Sequence, residues 1–492
     1  MLRRRIYTDV TTAGVDRSGR DFSIILGLSV RTAAVYSLVL IVAFCFYSLL
    51  WPKAPLMESD SWTYLGAAQD LADFHIDQLQ QRPPGYPILL LLTASSQSPK
   101  RALFFVSLLL HFASIWLLAA VLYRAGVTGI MLNLFVLILL LPPYVESAAY
   151  VLTENLTEAM LVTGFVSFVF WFLDKRGIWI FVSTLTVGYA ALTRPMYQLL
   201  ALAMVGYLLT VTFLFDWTPM KWRDAIKGCL ILLSGSTILV GGYSYVNYRS
   251  FGYFGITPVL GLALSQKTPR VLERLPDEYA LVREALIRGR NLKVLTSPEH
   301  TGYDYIHIAV PELSKITGLH GVQLSNYMLR INLLLIQKAP LQYLLEVVWA
   351  FGYYWFPSST DLANMNSRSV QLLWAVIHFL LIGGFFFNMF VLIGAAIYIK
   401  MCLRVSPLGT PEPVREMGRI QLQGFIYALA GTIVIYSVAI ACSIEAGIPR
   451  YRAPTDALIV FMFFLGTGLW RCLVGHSRTV LCDIHTVLPL PR

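Results

Sequence analysis

The amino-acid sequence predicts an all-α polytopic membrane protein, a bundle of about ten transmembrane helices, and three observations lead there. Of 492 residues, 57% are hydrophobic and only 13% are charged, where soluble proteins carry about 25% charged residues. Apolar runs approaching the ~20 residues that cross a bilayer recur along the chain. Those runs are continuous rather than alternating, so the backbone is satisfied in lipid within helices and not between barrel strands. A mean hydropathy of +0.63 agrees.

The elements follow in chain order. Residues 1–33 are polar and basic, with Arg3, Arg4, Arg5, Arg17, Arg20 and Arg31 and no small-residue cleavage site; they read as a cytoplasmic leader, not a signal peptide. Residues 34–248 form an N-terminal transmembrane module, with spans near 34–51, 102–123, 128–142, 159–173, 178–193, 197–215 and 226–248. Its first outward loop is 52–101. Residues 249–369 form a small outward cap with interfacial helices, including helix-like stretches at 276–290 and 321–338. The apolar run Leu341–Phe356 is too short to cross at ~1.5 Å per residue, and its Tyr353-Tyr354-Trp355 end suits the interface. Three C-terminal spans near 370–398, 422–443 and 455–472 lead to a cytoplasmic tail, 473–492.

Charge sets the orientation. Arg124, Lys175 with Arg176, Lys221 with Arg223 and Lys227, and Lys400, Arg404, Arg415 and Arg419 fall in alternate loops, which places them inside together with both termini. The net charge of +10 clusters beside the spans, where it orients the chain and meets anionic lipid rather than nucleic acid. Cys45, Cys229, Cys402, Cys442, Cys472 and Cys482 lie in spans or inward segments without metal-ligand spacing, which argues against disulfides and a structural zinc site. The outward segments are then 52–101, 142–158, 193–195, 249–369 and 443–454.

Every chemically suggestive residue lands on those outward segments. Glu58 and Asp60 follow the first span, where a carboxylate at the bilayer edge is costly unless used. Asp60 also reads as a helix N-cap. Arg82 precedes Pro83-Pro84-Gly85-Tyr86, a rigid turn; direct function and a surface anchor with Tyr86 at the interface explain it equally well. Glu154 and Glu158 lie one turn apart at the entry of a span, Glu158 reading as part of a solvated helix start with Thr153 as cap. Asn155-Leu156-Thr157 fits a glycosylation sequon but sits close to the bilayer. Arg194-Pro195 ends one span, and Arg450-Tyr451-Arg452 opens the last. Arginines at membrane depth demand anionic partners; with Arg82 they outnumber the nearby carboxylates, which favours a phosphate held by their forked donors. The histidines, His75, His111, His300, His307 and His320, share no ligand spacing and read as ordinary residues.

Together these motifs resemble the GT-C superfamily of polytopic membrane glycosyltransferases, in particular the protein O-mannosyltransferases and aminoarabinose transferases. The resemblance runs over roughly residues 30–460: an acid in the loop after the first span, Arg82-Pro-Pro-Gly-Tyr-Pro, Thr153-Glu154, Thr193-Arg194-Pro195 and Arg450-Tyr-Arg-Ala-Pro454. It implies a GT-C-like bundle, a polyprenyl-phosphate sugar donor (dolichyl or undecaprenyl), an acceptor hydroxyl on a lipid, glycan or protein, and inversion at the anomeric carbon. It assigns catalysis to Asp60, with Glu58, and donor contact to Arg82, Tyr86, Glu154, Arg194, Arg450, Tyr451 and Arg452. The mannosyltransferases carry an adjacent Asp-Glu pair here separated by Ser59, and a lumenal insert absent from this chain, so the acceptor stays open. No cofactor is predicted; a divalent metal is compatible, but no ligand motif is present. The expected location is a bacterial inner or plasma membrane, or the endoplasmic reticulum, with the site on the outward face. A secondary transporter is the rival reading, expected to carry midplane charges in two matching halves, and a polysaccharide polymerase or ligase using a lipid-linked donor is another.

Overall fold

A computed structural model describes residues 28–51, 54–75, 79, 82–213, 222–296, 304–358, 365, 367–405 and 411–487, with side chains left undescribed at 395–405, 411–418 and 472–487. Most of the basic leader, Lys221 and His300 lie outside the described residues. Among the described residues the structure is helical, with no named strand; an isolated bridge joins Leu56 and Tyr150.

Among the described residues, eight helices are long and apolar enough to cross a membrane, and this is an integral multi-pass membrane protein. In the order of the chain they include α1 (Val30–Leu50), α4 (Arg101–Arg124), α7 (Glu154–Asp174), α9 (Leu200–Phe213, entered through the 3-10 turn Pro195–Tyr197), α10 (Trp222–Phe251), α16 (Arg368–Val405), α17 (Pro411–Ile444) and α18 (Ala453–Val487). Two further sequence spans exist as less regular elements. The 128–142 run becomes α5 (Ile130–Leu139), which bends by 56° into α6 (Pro142–Val145) and the 3-10 turn Glu146–Ala149. Pro142 and Pro143 explain the break, since proline at the start of a helix cannot continue the preceding hydrogen-bond ladder. The other is α8 (Gly177–Thr193), an apolar helix of 17 residues. The last helix continues to Val487, so the tail expected at 473–492 is largely an extension of α18.

The apolar helices are sorted by how much surface they hide. α7 is the hub: 83% of its span is buried, because α4, α8, α17 and α18 pack around it. Only 22% of α1 is buried, since its main neighbour is α4. Aromatic contacts lock the hub, among them the stacked Phe172 and Phe425 rings at 3.8 Å and Phe165 edge-on to Phe461 at 5.3 Å.

Shorter elements occupy the segments read as outward. The first loop holds α2 (Ser61–Ala72) and α3 (Gly85–Leu92). Residues 249–369 contribute α11 (Leu260–Leu264), α12 (Ala280–Thr296), α13 (Tyr305–Thr317), α14 (Gly321–Lys338) and α15 (Pro340–Tyr354). The cap has its own apolar core, including Leu272, Leu286, Tyr305, Leu313, Met328 and Leu335. α15, the Leu341–Phe356 run, is tied to α17 near both of its ends: Tyr343 donates to the Ser443 carbonyl, and Tyr354 faces Ser437.

Candidate functional site

The two ends of the bundle differ in chemistry. At one end Arg124 faces Asp174 at 3.5 Å, Arg419 donates to the Gly126 carbonyl, and Gln423 donates to the Ala125 carbonyl. These are residues of the loops that charge assigns to the inside. At the other end the first loop, the 142–158 segment, the 193–195 turn and the 443–454 segment converge.

Local backbone geometry makes that convergence possible. Leu56 N–H donates to the Ala149 carbonyl, and Val151 N–H donates to Leu56, stitching the first loop to the second outward segment. Ser61 Oγ donates to the Val151 carbonyl at 2.9 Å. Gly85 lets α3 lie directly on the end of α8: a Cβ there would sit 2.5 Å from Thr193 Oγ1 and 2.7 Å from the Leu192 carbonyl oxygen. Tyr189 donates to the Gly85 carbonyl at 2.8 Å across that contact. Gly447 turns at φ 65°, tight against Ala350 of α15, and Gln266 of the cap accepts from Ala446 N–H. Only glycine adopts this left-handed turn at so little cost.

These supports bring five charges into a chain. Arg82 Nη2 donates to Asp60 Oδ1 at 2.8 Å, and Arg450 Nη2 donates to Asp60 Oδ2 at 3.2 Å. Arg450 Nε donates to Glu154 Oε1 at 2.8 Å, and Arg194 Nη2 reaches the same oxygen at 3.4 Å. Three guanidiniums thus surround two carboxylates, and the cluster keeps one excess positive charge. Arg82 is further fixed by Thr63 Oγ1 at 2.8 Å, by the Tyr64 hydroxyl, and by the Tyr64 ring 4.5 Å below its guanidinium. The surface-anchor reading of Arg82 therefore gives way to a role in the cluster. Tyr86 is buried edge-on against Tyr64 at 5.2 Å. Burial and the neighbouring Glu154 charge push its hydroxyl well above the usual tyrosine range. Tyr451 lies 5.7 Å beneath Arg194.

Asp60 stands at the start of α2 but caps nothing; its side chain makes no capping bond and goes instead to the arginines. Burial alone would raise its carboxyl, yet Arg82 and Arg450, with Arg194 further off, outweigh burial and hold it below the usual carboxylate range. Thr153 likewise makes no side-chain cap on α7.

A cavity of about 110 Å³ opens beside the cluster, lined by Glu58, Tyr144, Glu154, Glu158, Arg450 and Arg452 among others, room for several water molecules. Glu58 thus belongs to the cavity wall and not to the arginine chain. Arg452 is also set apart: it is buried and held by Asp456 at 2.7 Å and by the Tyr354 and Phe356 carbonyls at 2.6 and 2.8 Å. Those partners consume three of its donor directions, and they tie α18 to the end of α15. Asp456, one turn on, is the carboxylate that the arginine count in the sequence left out.

Two other sequence readings are corrected. Glu158 is 4% exposed and so is no part of a solvated helix start. His111, read as an ordinary residue, meets it: Nδ1 lies 3.0 Å from Glu158 Oε1, and Nε2 lies 3.1 Å from the Leu139 carbonyl oxygen. An ionisable residue inside an apolar run was the available signal. Asn155 is buried as well, which closes the sequon to modification in the folded protein. Among the described residues, no three His, Cys, Asp or Glu side chains are grouped to hold a metal ion.

Fold and site together define a multi-pass helical membrane protein with a net-positive arginine–carboxylate cluster at one end of the bundle, beside a polar cavity. No protein-family model and no curated protein matches the chain. Among solved structures it is similar to the archaeal oligosaccharyltransferase AglB from Archaeoglobus fulgidus, in complex with an inhibitory peptide and a dolichol-phosphate. That likeness has 9% identity and a TM-score of 0.49, over 94% of this chain and 53% of the other. It is also similar to ArnT from Cupriavidus metallidurans bound to undecaprenyl phosphate, at 14% identity and a TM-score of 0.32, over 88% of this chain and 78% of the other. The chain spans about half the length of the first, and residue roles in this chain rest on its own geometry.

Proposed function

We propose that this protein is a GT-C-type membrane glycosyltransferase that moves a sugar from a polyprenyl-phosphate donor to an acceptor hydroxyl at the outward face, with inversion. The observation that carries this reading is the excess guanidinium of the Arg82–Asp60–Arg450–Glu154–Arg194 chain. A positive surplus at the membrane boundary calls for an anion, and the arginine fork matches a pair of phosphate oxygens. A sugar linked to a lipid phosphate brings its own leaving group, so the protein needs only two services. Arginines stabilise the charge growing on the departing phosphate, and a carboxylate takes the proton of the attacking hydroxyl.

The sequence gives the second service to Asp60. In the cluster both Asp60 oxygens accept from guanidiniums, so Asp60 orders the arginines. Its charge is needed. The test is release of polyprenyl phosphate by purified protein offered a panel of polyprenyl-phosphate sugars and hydroxyl acceptors. Acceptor-dependent release is expected, with Asp60→Asn below about a tenth of wild-type turnover. Absence of both release and polyprenyl-phosphate binding across the panel would overturn the reading.

A further inference from the structure

Of the two acids in the charge chain, only one has an oxygen to spare. Glu154 is 2% exposed, and its Oε1 accepts from both Arg450 and Arg194. No protein group hydrogen-bonds its Oε2, although that atom is buried. Buried polar atoms are almost always paired, and Glu154 lines the cavity. Asp60 shows the opposite pattern, with both oxygens engaged and its side chain 39% exposed. A general base must lie within hydrogen-bond reach of the proton it takes, and Glu154 Oε2 is the carboxylate oxygen of the charge chain that accepts from no protein group.

Resting on the function proposed above, we propose that Glu154 is the general base and that the acceptor hydroxyl enters the cavity to donate to its Oε2. As the hydroxyl oxygen bonds to the anomeric carbon, its proton passes to Glu154 Oε2. The bond from that carbon to the phosphate oxygen breaks, and its electron pair leaves with the phosphate. Arg450 touches both halves of this exchange: it holds Glu154 Oε1 with Nε and Asp60 with Nη2. Asp60 is then a positioning residue that keeps Arg82 and Arg450 in register for the phosphate. The ionisable groups around Glu154 are Arg194, Arg450, Tyr86, Tyr197 and Glu158 with His111, and, on the cavity wall, Glu58, Tyr144, Glu146, Tyr150, Arg452 and Asp456. None of these hydrogen-bonds Oε2.

The experiment measures turnover against pH and, separately, polyprenyl-phosphate binding for the wild type, Glu154→Gln and Asp60→Asn. Glu154→Gln should lose about 100-fold or more in kcat and lose the acid limb of the kcat profile, while binding polyprenyl phosphate no more weakly than wild type. Asp60→Asn should chiefly weaken that binding and keep the acid limb. Because Glu154→Gln leaves two buried arginines undercompensated, Glu154→Ala purified with formate serves as a second variant. Formate should raise its turnover and should not raise that of Asp60→Ala. Retention of more than a tenth of wild-type kcat or of the acid limb in Glu154→Gln, or formate rescue of Asp60→Ala alone, would overturn the assignment while leaving the transferase reading standing. A wild-type protein that neither binds polyprenyl phosphate nor turns over would remove both.

Discussion

Both ring nitrogens of His111 face acceptors, the Leu139 carbonyl on one side and the Glu158 carboxylate on the other. A carbonyl only accepts, so Nε2 carries a proton; the contact between Nδ1 and Glu158 then needs one more, shared between ring and carboxylate. The pair is neutral overall wherever that proton sits, which is why two ionisable groups tolerate 1% and 4% exposure at the helix junction. Glutamine at 158 would donate to Nδ1 of a neutral ring and leave every bond made. Glu158→Gln is therefore expected within about 1 kcal/mol of wild type, and Glu158→Ala about 3–5 kcal/mol less stable, since it strands a buried partner. Thermal unfolding of the detergent-solubilised protein checks this, and equal losses in the two variants would mean that the shared proton is essential to the fold. Arg452 shows the same economy: its i+4 partner Asp456 and two backbone carbonyls make it a brace between helices.

At the scale of elements, the site depends on how closely two short helices approach the spans. α3 carries Tyr86 and anchors the preceding turn with Arg82, because Gly85 sits against the Leu192–Thr193 end of α8, and Arg194 follows immediately. Thr193 is buried with its hydroxyl donating to the Tyr189 carbonyl, and the Leu192 carbonyl belongs to the backbone, so neither gives way easily. Gly85→Ala is accordingly expected to cost about 1–3 kcal/mol through overpacking and to displace Arg82 from Asp60. Melting temperature and polyprenyl-phosphate binding of this variant would both fall; unchanged values in both would show that the approach carries no positional role. α15 acts from the other side, with Tyr354 and Phe356 carbonyls holding Arg452 and Ala350 packed on Gly447.

For the whole molecule, the chain alternates ends with each span, so loops far apart in sequence meet. Residues 60, 82, 154, 194 and 450 gather at one end, while Arg124, Asp174 and Arg419 gather at the other. Surface cysteines test the orientation that charge assigns. Asp73, in the first loop, and Asp277, on the cap, are exposed and should label from outside the membrane, whereas exposed Gly177 should label only from inside. Labelling of position 177 and position 277 from the same side would refute the arrangement. Ser61 is buried and unsuited to this purpose.

By itself the sequence determined the class of protein, most of its apolar segments and the segments whose ends carry the chemistry. Hydropathy and the Lys/Arg bias act over one segment at a time, and lipid leaves a long apolar run little choice but a helix. It also gave the residues of the charge cluster, because a carboxylate or guanidinium at membrane depth is too costly to be incidental. What tertiary structure alone decided is who pairs with whom. Asp60 caps nothing, Arg452 turns away to Asp456, Glu58 goes to the cavity wall, Glu158 and His111 join across three helices, and Glu154 keeps one oxygen free. Apart from the Arg452–Asp456 pair, one helical turn apart, these outcomes depend on groups from segments tens to hundreds of residues apart, brought into register by close contacts such as Gly85 on Leu192 and Gly447 on Ala350. Hydrogen bonds and ion pairs act over a few ångströms, and sequence order carries no such distance.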